Sequence, residues 1–189
     1  MNIKKTANLL LNFAIKRLAE IFGIIIFVSG IMLLIALMTY SPDDPNFIFP
    51  ENTQIKNLLG FQGSFISDLF FQSVGLVAYL VSFTFILTGI NIFRAKDFFL
   101  IIENNFYTIL YSIFGTLFIS HFYSNNFTFY INGNGGFVGN YLNQTFLNSV
   151  ILLNERLFYY ILILITLILF FVSINFSLKK FTGVIKKIY

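Results

Sequence analysis

The sequence predicts an all-α integral membrane protein with four transmembrane helices and a short outer interfacial helix before the fourth. Composition, apolar runs and the positions of the cations support this prediction. Of the 189 residues, 57% are hydrophobic and 11% are charged, and the mean hydropathy is +0.81. Soluble domains carry about 25% charged residues, so this composition is typical of a protein embedded in lipid.

Four uncharged apolar runs predict transmembrane helices over about residues 21–40, 69–93, 106–123 and 157–175. Each approaches or exceeds the roughly 20 residues that cross a bilayer. Each must be helical, because backbone groups in lipid have to satisfy their own hydrogen bonds. A second helix running unbroken from Phe61 to Phe93 would be about 50 Å long. We therefore expect it to tilt, to break near Asp68 or to begin along the outer interface.

Lysine and arginine are distributed unevenly along the chain. Of 12 such residues, only Lys56 and Arg156 lie between spans one and two or between spans three and four. The others are Lys4, Lys5, Lys16, Arg17, Arg94, Lys96, Lys179, Lys180, Lys186 and Lys187. Cations mark cytoplasmic connections, so both termini are predicted to be cytoplasmic, with two loops outside. This divides the chain into a cytoplasmic interfacial basic segment at 1–20, a four-span domain at 21–176 and a cytoplasmic basic tail at 177–189.

The first 20 residues have the pattern of an amphipathic helix lying at the membrane surface, although a plain basic flank is the alternative. The apolar residues that recur at helical spacing are Leu10, Leu11, Ala14, Ile15 and Leu18. A cleaved signal peptide is disfavoured, because the first apolar run is too long and Met38-Thr39-Tyr40 lacks the small residues of a cleavage site.

The first predicted outer loop begins with Tyr40-Ser41-Pro42-Asp43-Asp44-Pro45-Asn46-Phe47. Two prolines and two aspartates end the helix and favour a solvated turn, since Asp side chains can accept local backbone N–H groups. Calcium binding by Asp43, Asp44 and Glu51 is disfavoured, because their spacing matches no calcium-binding loop.

Small residues recur on one helical face through the next segment. They are Gly60, Gly63, Ser64, Ser67, Gly75, Ala78, Ser82 and Gly89. Such residues let helix backbones approach closely in lipid, so this face is predicted to pack against another helix. Asp68 near the outer end is predicted to be an interfacial residue.

The second predicted outer loop contains a cluster of asparagine and glycine over residues 132–139. It lacks the preceding strand and the Gly-Lys-Ser/Thr ending of a phosphate loop. The half-apolar segment that follows, from Tyr141 to Leu153, predicts the short outer helix. His121 is interpreted as an interfacial polar group, because catalytic zinc needs about three protein ligands.

No residue pattern for chemistry is present in these 189 residues. There is no cysteine, no GxxxxGK[ST] loop, no GxSxG elbow and no HExxH pair. The prediction is therefore a protein that is not an enzyme, with no catalytic, cofactor-binding or metal-binding residues and no cofactor. A small membrane transport or channel subunit is the alternative. It would place polar residues such as Thr84, Asn91 and Ser112 around one hydrated path.

Four segments in order resemble the N-terminal four-span membrane domain of the FtsK/SpoIIIE DNA translocases. These are Arg17-Leu18-Ala19-Glu20-Ile21-Phe22-Gly23, the 40–47 loop, residues 57–80 and Gly135-Gly136-Phe137-Val138-Gly139. The positions that carry the resemblance and are expected to have structural roles are Tyr40, Pro42, Asp44, Pro45, Asn57, Gly60, Gly63, Asp68, Gly75, Ala78, Tyr79, Gly135, Gly136 and Gly139. The chain departs from the family pattern at Val81-Ser82, where proline is usual, and at Glu155-Arg156, where glycines are common.

The resemblance implies a non-catalytic anchor and oligomerisation domain of a septal DNA translocase, linked to cell division and chromosome partition. The implied location is the bacterial inner membrane, as a multi-pass protein at the division septum. The implied partners are the lipid bilayer, further copies of the chain and other septal division proteins. DNA would be reached only through a motor domain, whose nucleotide-binding residues have no counterpart in this sequence.

Overall fold

The computed structural model describes residues 3–45, 54–124 and 132–176. Within these ranges the chain forms helices and no strands. The helices are α1 (Ile3–Met38), α2 (Gly60–Val74), α3 (Ala78–Ala95), α4 (Phe99–Phe122), α5 (Gly136–Asn143), α6 (Phe146–Leu153) and α7 (Glu155–Ser173). A single 3-10 turn at Gly75–Val77 separates α2 from α3. The all-α fold class predicted from the sequence is confirmed.

Three helical segments are long and apolar enough to cross a membrane within the described ranges: Asn8–Met38, Gly60–Ala95 and Glu155–Ser173. They contain almost all of the first, second and fourth predicted spans. The third falls in α4, whose 24 residues would extend about 36 Å. Its polar residues lower its hydropathy, but five of them are buried against other helices: Asn104, Thr108, Ser112, Thr116 and Ser120. The exact four-span arrangement therefore stays a prediction.

Helix α1 is one unbroken helix of 36 residues. The predicted boundary between the interfacial segment and the first span, at residue 20, falls inside it. At 1.5 Å per residue the helix is about 54 Å long, much more than the roughly 30 Å hydrocarbon core. How residues 1–20 lie relative to the membrane stays a prediction.

The break between α2 and α3 occurs at Gly75, seven residues after the predicted position near Asp68. Gly75 has φ 57° and ψ −141°, a conformation that other residues rarely adopt. Asp68 lies within α2. The break is therefore determined by glycine geometry, not by the acidic residue.

The helices form two main pairs, with α1 packed on α3 and α4 packed on α7, while α5 covers α4 and α2. We call the end of the bundle that contains residues 39–45, 54–59 and 132–146 the loop end, and the opposite end, near Lys96 and Ile174, the terminal end. Three apolar clusters fill the interior. Their buried members are Leu33, Leu37, Phe71 and Ala78; Val77, Val81 and Tyr111; and Leu117, Ile151 and Leu162.

The α1–α3 crossing depends on glycines. A Cβ at Gly89 would lie 2.5 Å from the Phe27 nitrogen and 2.6 Å from the Gly23 oxygen. A Cβ at Gly30 would lie 2.7 Å from the Ile86 nitrogen. Such distances are too short for any other residue, so the two backbones touch directly. The sequence indicated Gly89 as part of a packing face, but not Gly23 or Gly30.

Candidate functional site at the loop end

The carboxylate of Asp44 fastens the connection between α1 and α2, the first connection of the loop end. Its side chain is buried, Oδ1 accepts the backbone N–H of Lys56 at 2.8 Å, and Oδ2 accepts that of Asn57 at 2.8 Å. Both oxygens are thus occupied by backbone donors, the arrangement that stabilises an ionised carboxylate away from water. The turn after α1 is thereby tied to the residues that lead into α2.

Asn57 extends this tie to α1 itself. Its Nδ2 donates to the Ala36 oxygen at 2.9 Å, and its Oδ1 accepts the Leu59 N–H at 3.1 Å. A Cβ at Gly63 would overlap the Asn57 side chain, so only glycine leaves room for it. Gly60 has φ 66° with open space around it, and its N–H donates to the Asn57 oxygen.

The two prolines of the first connection have different surroundings. Pro45 is fully buried, and its carbonyl accepts a hydrogen bond from the Ser64 hydroxyl at 2.8 Å. Pro42 is exposed in the turn before Asp44. Of the two, only Pro45 joins the buried part of the site.

Tyr40 and Tyr79 both contact Phe71 and connect the end of α1 to α2 and α3. The Tyr40 hydroxyl donates to Asp68 Oδ1 at 3.0 Å, and the Tyr79 hydroxyl donates to the Leu37 oxygen at 3.2 Å. Phe71 makes edge contacts with both rings, at centroid distances of 4.9 and 5.6 Å. Asp68 is buried within the protein at 7% exposure, and its depth in the membrane stays a prediction.

The glycine cluster of the second connection fits against the α2–α3 break. The Leu76 N–H donates to the Asn134 oxygen at 2.9 Å, and a Cβ at Gly75 would overlap that same oxygen. Gly136 has φ 64°, and a Cβ there would lie 2.6 Å from the Gly75 nitrogen. The two backbones therefore pass in direct contact.

Two further glycines bring this connection against α4. A Cβ at Gly135 would lie 2.7 Å from the Thr116 oxygen, and a Cβ at Gly139 would overlap the same carbonyl. The predicted signature residues thus form two groups, one around Asp44 and Asn57 and one around the four glycines at 75, 135, 136 and 139. Ala78, fully buried, lies at the start of α3 just after the break.

Further polar residues complete the loop end, and the sequence had not indicated their contacts. Asn134 Nδ2 donates to the Tyr123 oxygen at 2.6 Å, and the Asn132 N–H donates to Gln72 Oε1 at 3.2 Å. The Ser120 hydroxyl donates to Asn140 Oδ1 at 2.8 Å. His121 Nδ1 lies 3.0 Å from Asn143 Oδ1. The sequence signal for Asn132 and Asn134 is the unusual density of asparagine around the glycines, whereas that for His121 is its position near the predicted outer end of the third span.

The loop end carries little accessible charge. Asp43 pairs with Lys56 Nζ at 2.8 Å on the surface, and this hydrogen bond raises the pKa of Lys56. No three acidic, histidine or cysteine side chains come together within the parts of the chain that the structure describes. Glu51, considered above as a third calcium ligand, lies outside them. The geometry suits fastening of loops to helices.

A second polar cluster lies between α3, α4 and α7 toward the terminal end. Thr84 Oγ1 is 2.9 Å from the Tyr111 hydroxyl and 3.3 Å from the Ser173 hydroxyl. Asn104 Nδ2 donates to Thr88 at 2.8 Å, and Asn175 Nδ2 donates to Asn104 Oδ1 at 2.8 Å. These contacts satisfy polar groups within the bundle, as interhelical hydrogen bonds do in lipid.

An all-helical bundle with several helices apolar and long enough to cross a bilayer, and with its connections fastened at one end, is a polytopic membrane domain. The chain belongs to the family described as the 4TM region of DNA translocase FtsK/SpoIIIE, which matches residues 15–186. The resemblance seen in the sequence is therefore confirmed. The chain is the membrane domain of this family and not its ATPase motor.

Individual relatives agree with the family. The chain is 36% identical over 73 residues to the DNA translocase FtsK of Caulobacter vibrioides, covering 39% of this chain and 9% of that protein. It is 27% identical over 112 residues to that of Azospirillum brasilense, covering 58% and 17%. It is 29% identical over 72 residues to that of Rickettsia prowazekii, covering 38% and 10%. The matches thus span less than a fifth of these relatives' length. No solved structure matches the chain.

Proposed function

We propose that this chain is the non-catalytic membrane anchor and oligomerisation domain of a septal DNA translocase, acting in cell division and chromosome segregation. The observation that carries the proposal is the family match over residues 15–186, joined to a bundle in which the residues of the resemblance fasten the connections to the helices. Its relatives are named DNA translocase FtsK. Their motor activity would come from sequence outside the matched region.

In this proposal α4 is the third span, which gives helices across the membrane at about 21–40, 69–93, 106–123 and 157–175. Helices α5 and α6 form the outer interfacial structure before the fourth span. Exposed apolar side chains support contact of both with lipid, at Phe137, Tyr141, Phe146, Leu152 and Leu153. The interfacial segment at 1–20 and the tail at 177–189 are cytoplasmic, and residues 177–189 lie outside the described ranges.

Reporter fusions after Phe49 and after Lys187 test this topology. A reporter active only outside the cytoplasm is expected to work after Phe49 and to fail after Lys187. A reporter active only inside is expected to give the reverse result. Outer activity at Lys187 would overturn the orientation and with it the assignment of the tail.

The signature residues are proposed to have a structural role, which is to hold the two outer connections against the helix ends. Asp44, Asn57 and Gly63 would act together on the first connection, and Gly75 and Gly136 on the second. The contacts support this role, because Asp44 and Asn57 bond to buried backbone groups that would otherwise lack a partner. A Cβ at Gly63 would overlap the Asn57 side chain, and a Cβ at Gly75 or Gly136 would overlap backbone atoms.

The alternative transport function predicts that polar side chains line one hydrated path. Thr84 is instead within hydrogen-bond distance of Tyr111 and Ser173, and Asn91 Nδ2 donates to the Ile174 oxygen at 3.0 Å. These bonds to protein partners support a closed bundle. Ion flux into vesicles that contain the purified chain tests this point. No flux above that of empty vesicles is expected, and selective flux would contradict the anchor proposal.

Oligomerisation can be tested with introduced cysteines, because the chain has none of its own. Leu164 on α7 is 58% exposed, whereas Ser82 is fully buried between helices. Disulfide cross-linking in native membranes is expected for cysteines scanned along the exposed face around Leu164 or along that of α1. A Ser82→Cys variant serves as the buried control. A scan in which no exposed position cross-links above this control would contradict oligomerisation through these helices.

The septal role is tested by a fluorescent fusion in dividing cells of the source organism. The fusion is expected to concentrate at the division site. The matched control is a fusion in which Asp44 is replaced by alanine, with its amount in the membrane measured separately. Even distribution of the unmodified fusion around the cell would refute septal targeting by this domain.

A further inference from the structure

Arg94 lines two cavities at the terminal end of the bundle and so joins them. It is in the last turn of α3 and is exposed. Among the described residues it makes no ion pair, whereas Arg17 and Lys96 both pair with Glu20 at this same end. A cation without a carboxylate partner at a helix end of a membrane domain is available to an anionic ligand.

The first cavity is an apolar groove of about 370 Å³ along the outside of the α1–α3 crossing. Gly23 and Gly89 lie at the bottom of this groove, where the backbones of the two helices touch. Apart from Arg94, it is lined by Gly23, Ile24, Phe27, Gly89, Ile90 and Phe93. A groove of this chemistry on a membrane helix pair suits a hydrocarbon chain.

The second cavity, of about 410 Å³, is lined by Asn91, Arg94, Ala95, Leu100 and Asn175. Asn91 and Asn175 each use one described amide hydrogen bond, to Ile174 and Asn104. Each amide NH₂ carries two donors, so each retains a second N–H. One guanidinium and two amides in one polar cavity form a set of donors suited to phosphate oxygens.

We propose that these joined cavities bind one anionic phospholipid, with its phosphate at Arg94 and an acyl chain along the Gly23–Gly89 groove. The charge on Arg94 selects an anionic headgroup, and the apolar groove selects a lipid over free phosphate. The bound acyl chain would lie against the exposed Ile24 beside the line where the two helix backbones touch. The inference depends on membrane embedding and not on the septal role.

The test is lipid titration of the delipidated full chain in mild detergent, followed by native mass spectrometry with phosphatidylglycerol and phosphatidylcholine. Phosphatidylglycerol is expected to bind more tightly than phosphatidylcholine. Removing one interfacial cation is worth about 1 kcal/mol, so Arg94→Gln is expected to weaken the first phosphatidylglycerol roughly fivefold. Arg94→Lys is expected to retain part of the affinity, because lysine keeps the charge but not the planar fork.

Matched controls separate the site from general charge and general lipid contact. Arg156→Gln removes an exposed arginine near the opposite end and is expected to leave binding unchanged. Ile24→Trp would fill the groove without changing charge and is expected to weaken binding, whereas Ile168→Trp on the exposed face of α7 is not. Helical content measured by circular dichroism confirms that each variant is folded.

Three results would overturn the proposal. Equal affinity of Arg94→Gln and the unmodified chain would mean that Arg94 is only a solvated topology residue. Binding of inorganic phosphate as tight as that of phosphatidylglycerol would mean that the second cavity binds the anion alone. Unchanged binding by Ile24→Trp would exclude the groove as the acyl-chain site. If Arg94→Gln does not fold, Arg94→Lys and Ile24→Trp still decide the question.

Discussion

The α1–α3 crossing and the α3–α4–α7 cluster join helices in opposite ways. In the first, Gly23, Gly30 and Gly89 let backbones touch, and the middle of the contact uses no side-chain hydrogen bond among the described residues. In the second, Thr84, Tyr111 and Ser173 connect three helices through hydroxyl groups. Both serve helices that gain little from the hydrophobic effect in lipid. The difference predicts that the first contact tolerates no added atom, whereas the second tolerates changes that keep a hydrogen-bond partner.

The largest effect is expected from Gly89→Leu, since its Cβ would meet the backbone of Phe27 and Gly23. Overpacking against rigid backbone costs typically about 1–3 kcal/mol and sometimes more, and we expect the upper part of that range. Unfolding by sodium dodecyl sulfate in mixed micelles, followed by circular dichroism, measures it. Ile90→Leu, the adjacent volume-conserving change, should stay close to the unmodified chain. Equal stability of the two variants would show that the helices can separate without loss.

The second largest effect is expected from Asp44→Asn, which alters the contact that holds the first connection. We expect it to lower the free energy of unfolding by about 2–3 kcal/mol. One oxygen that accepts the Lys56 or Asn57 N–H would become an amide donor, leaving a buried N–H unpaired. The neighbouring Asp43→Asn is the control, because the Asp43 side chain is 76% exposed. The same denaturation assay measures both. Similar small losses for both aspartates would mean that the buried carboxylate does not hold the connection.

Asn104→Leu tests the polar cluster between α3, α4 and α7. It is expected to lower the free energy of unfolding by about 1–2 kcal/mol, near the upper measured range for interhelical hydrogen bonds in membranes. It removes the bonds to Thr88 and from Asn175. Asn105→Leu changes an exposed neighbour on the same helix and should have little effect. A loss of stability larger than that of Gly89→Leu would reverse the order proposed for the α1–α3 crossing and the α3–α4–α7 cluster.

The smallest effect is expected from Lys56→Gln, and it should depend on pH. The hydrogen bond to Asp43 raises the pKa of Lys56, so its stabilisation is complete below the lysine pKa of the unfolded chain, about 10.4. It is lost as pH rises through the raised pKa of the folded state. The midpoint of thermal unfolding should therefore differ slightly between variant and unmodified chain at neutral pH and converge at strongly alkaline pH. A constant difference across that range would exclude titration of this pair.

The long apolar segments could be predicted from the sequence because span length and charge alternation leave little freedom. The helical break could not, since it depends on Gly75 adopting φ 57° against the Asn134 carbonyl, a contact between residues 59 positions apart. The role of Gly63 could not be predicted either, because Gly63 makes room for the Asn57 side chain, whose position is known only from the structure. A glycine in a sequence indicates that another group can approach closely, but only the structure shows which residue does so.

For α4, in contrast, the difficulty lies in how the sequence is averaged. Its hydropathy understates its suitability for the interior, because Thr108, Thr116 and Ser120 bond to protein partners instead of meeting lipid. Average hydropathy counts these side chains as if they were exposed. If α4 is the third span, as proposed, average hydropathy underestimates it in this way.

The unbroken length of α1 has a mechanical consequence. If α1, about 54 Å long, tilts by as much as 40°, about 15 Å of its length still lies outside a 30 Å hydrocarbon layer. Leu9, Leu10 and Leu11 near its start are more than 60% exposed, so immersion of this overhang in water would be unfavourable. The bilayer must thicken locally around α1, or the helix must curve into the headgroup layer. Local thickening would impose a hydrophobic mismatch, which can sort a protein toward membrane regions of matching thickness. Curvature into the headgroup layer would instead correspond to the interfacial segment proposed for residues 1–20.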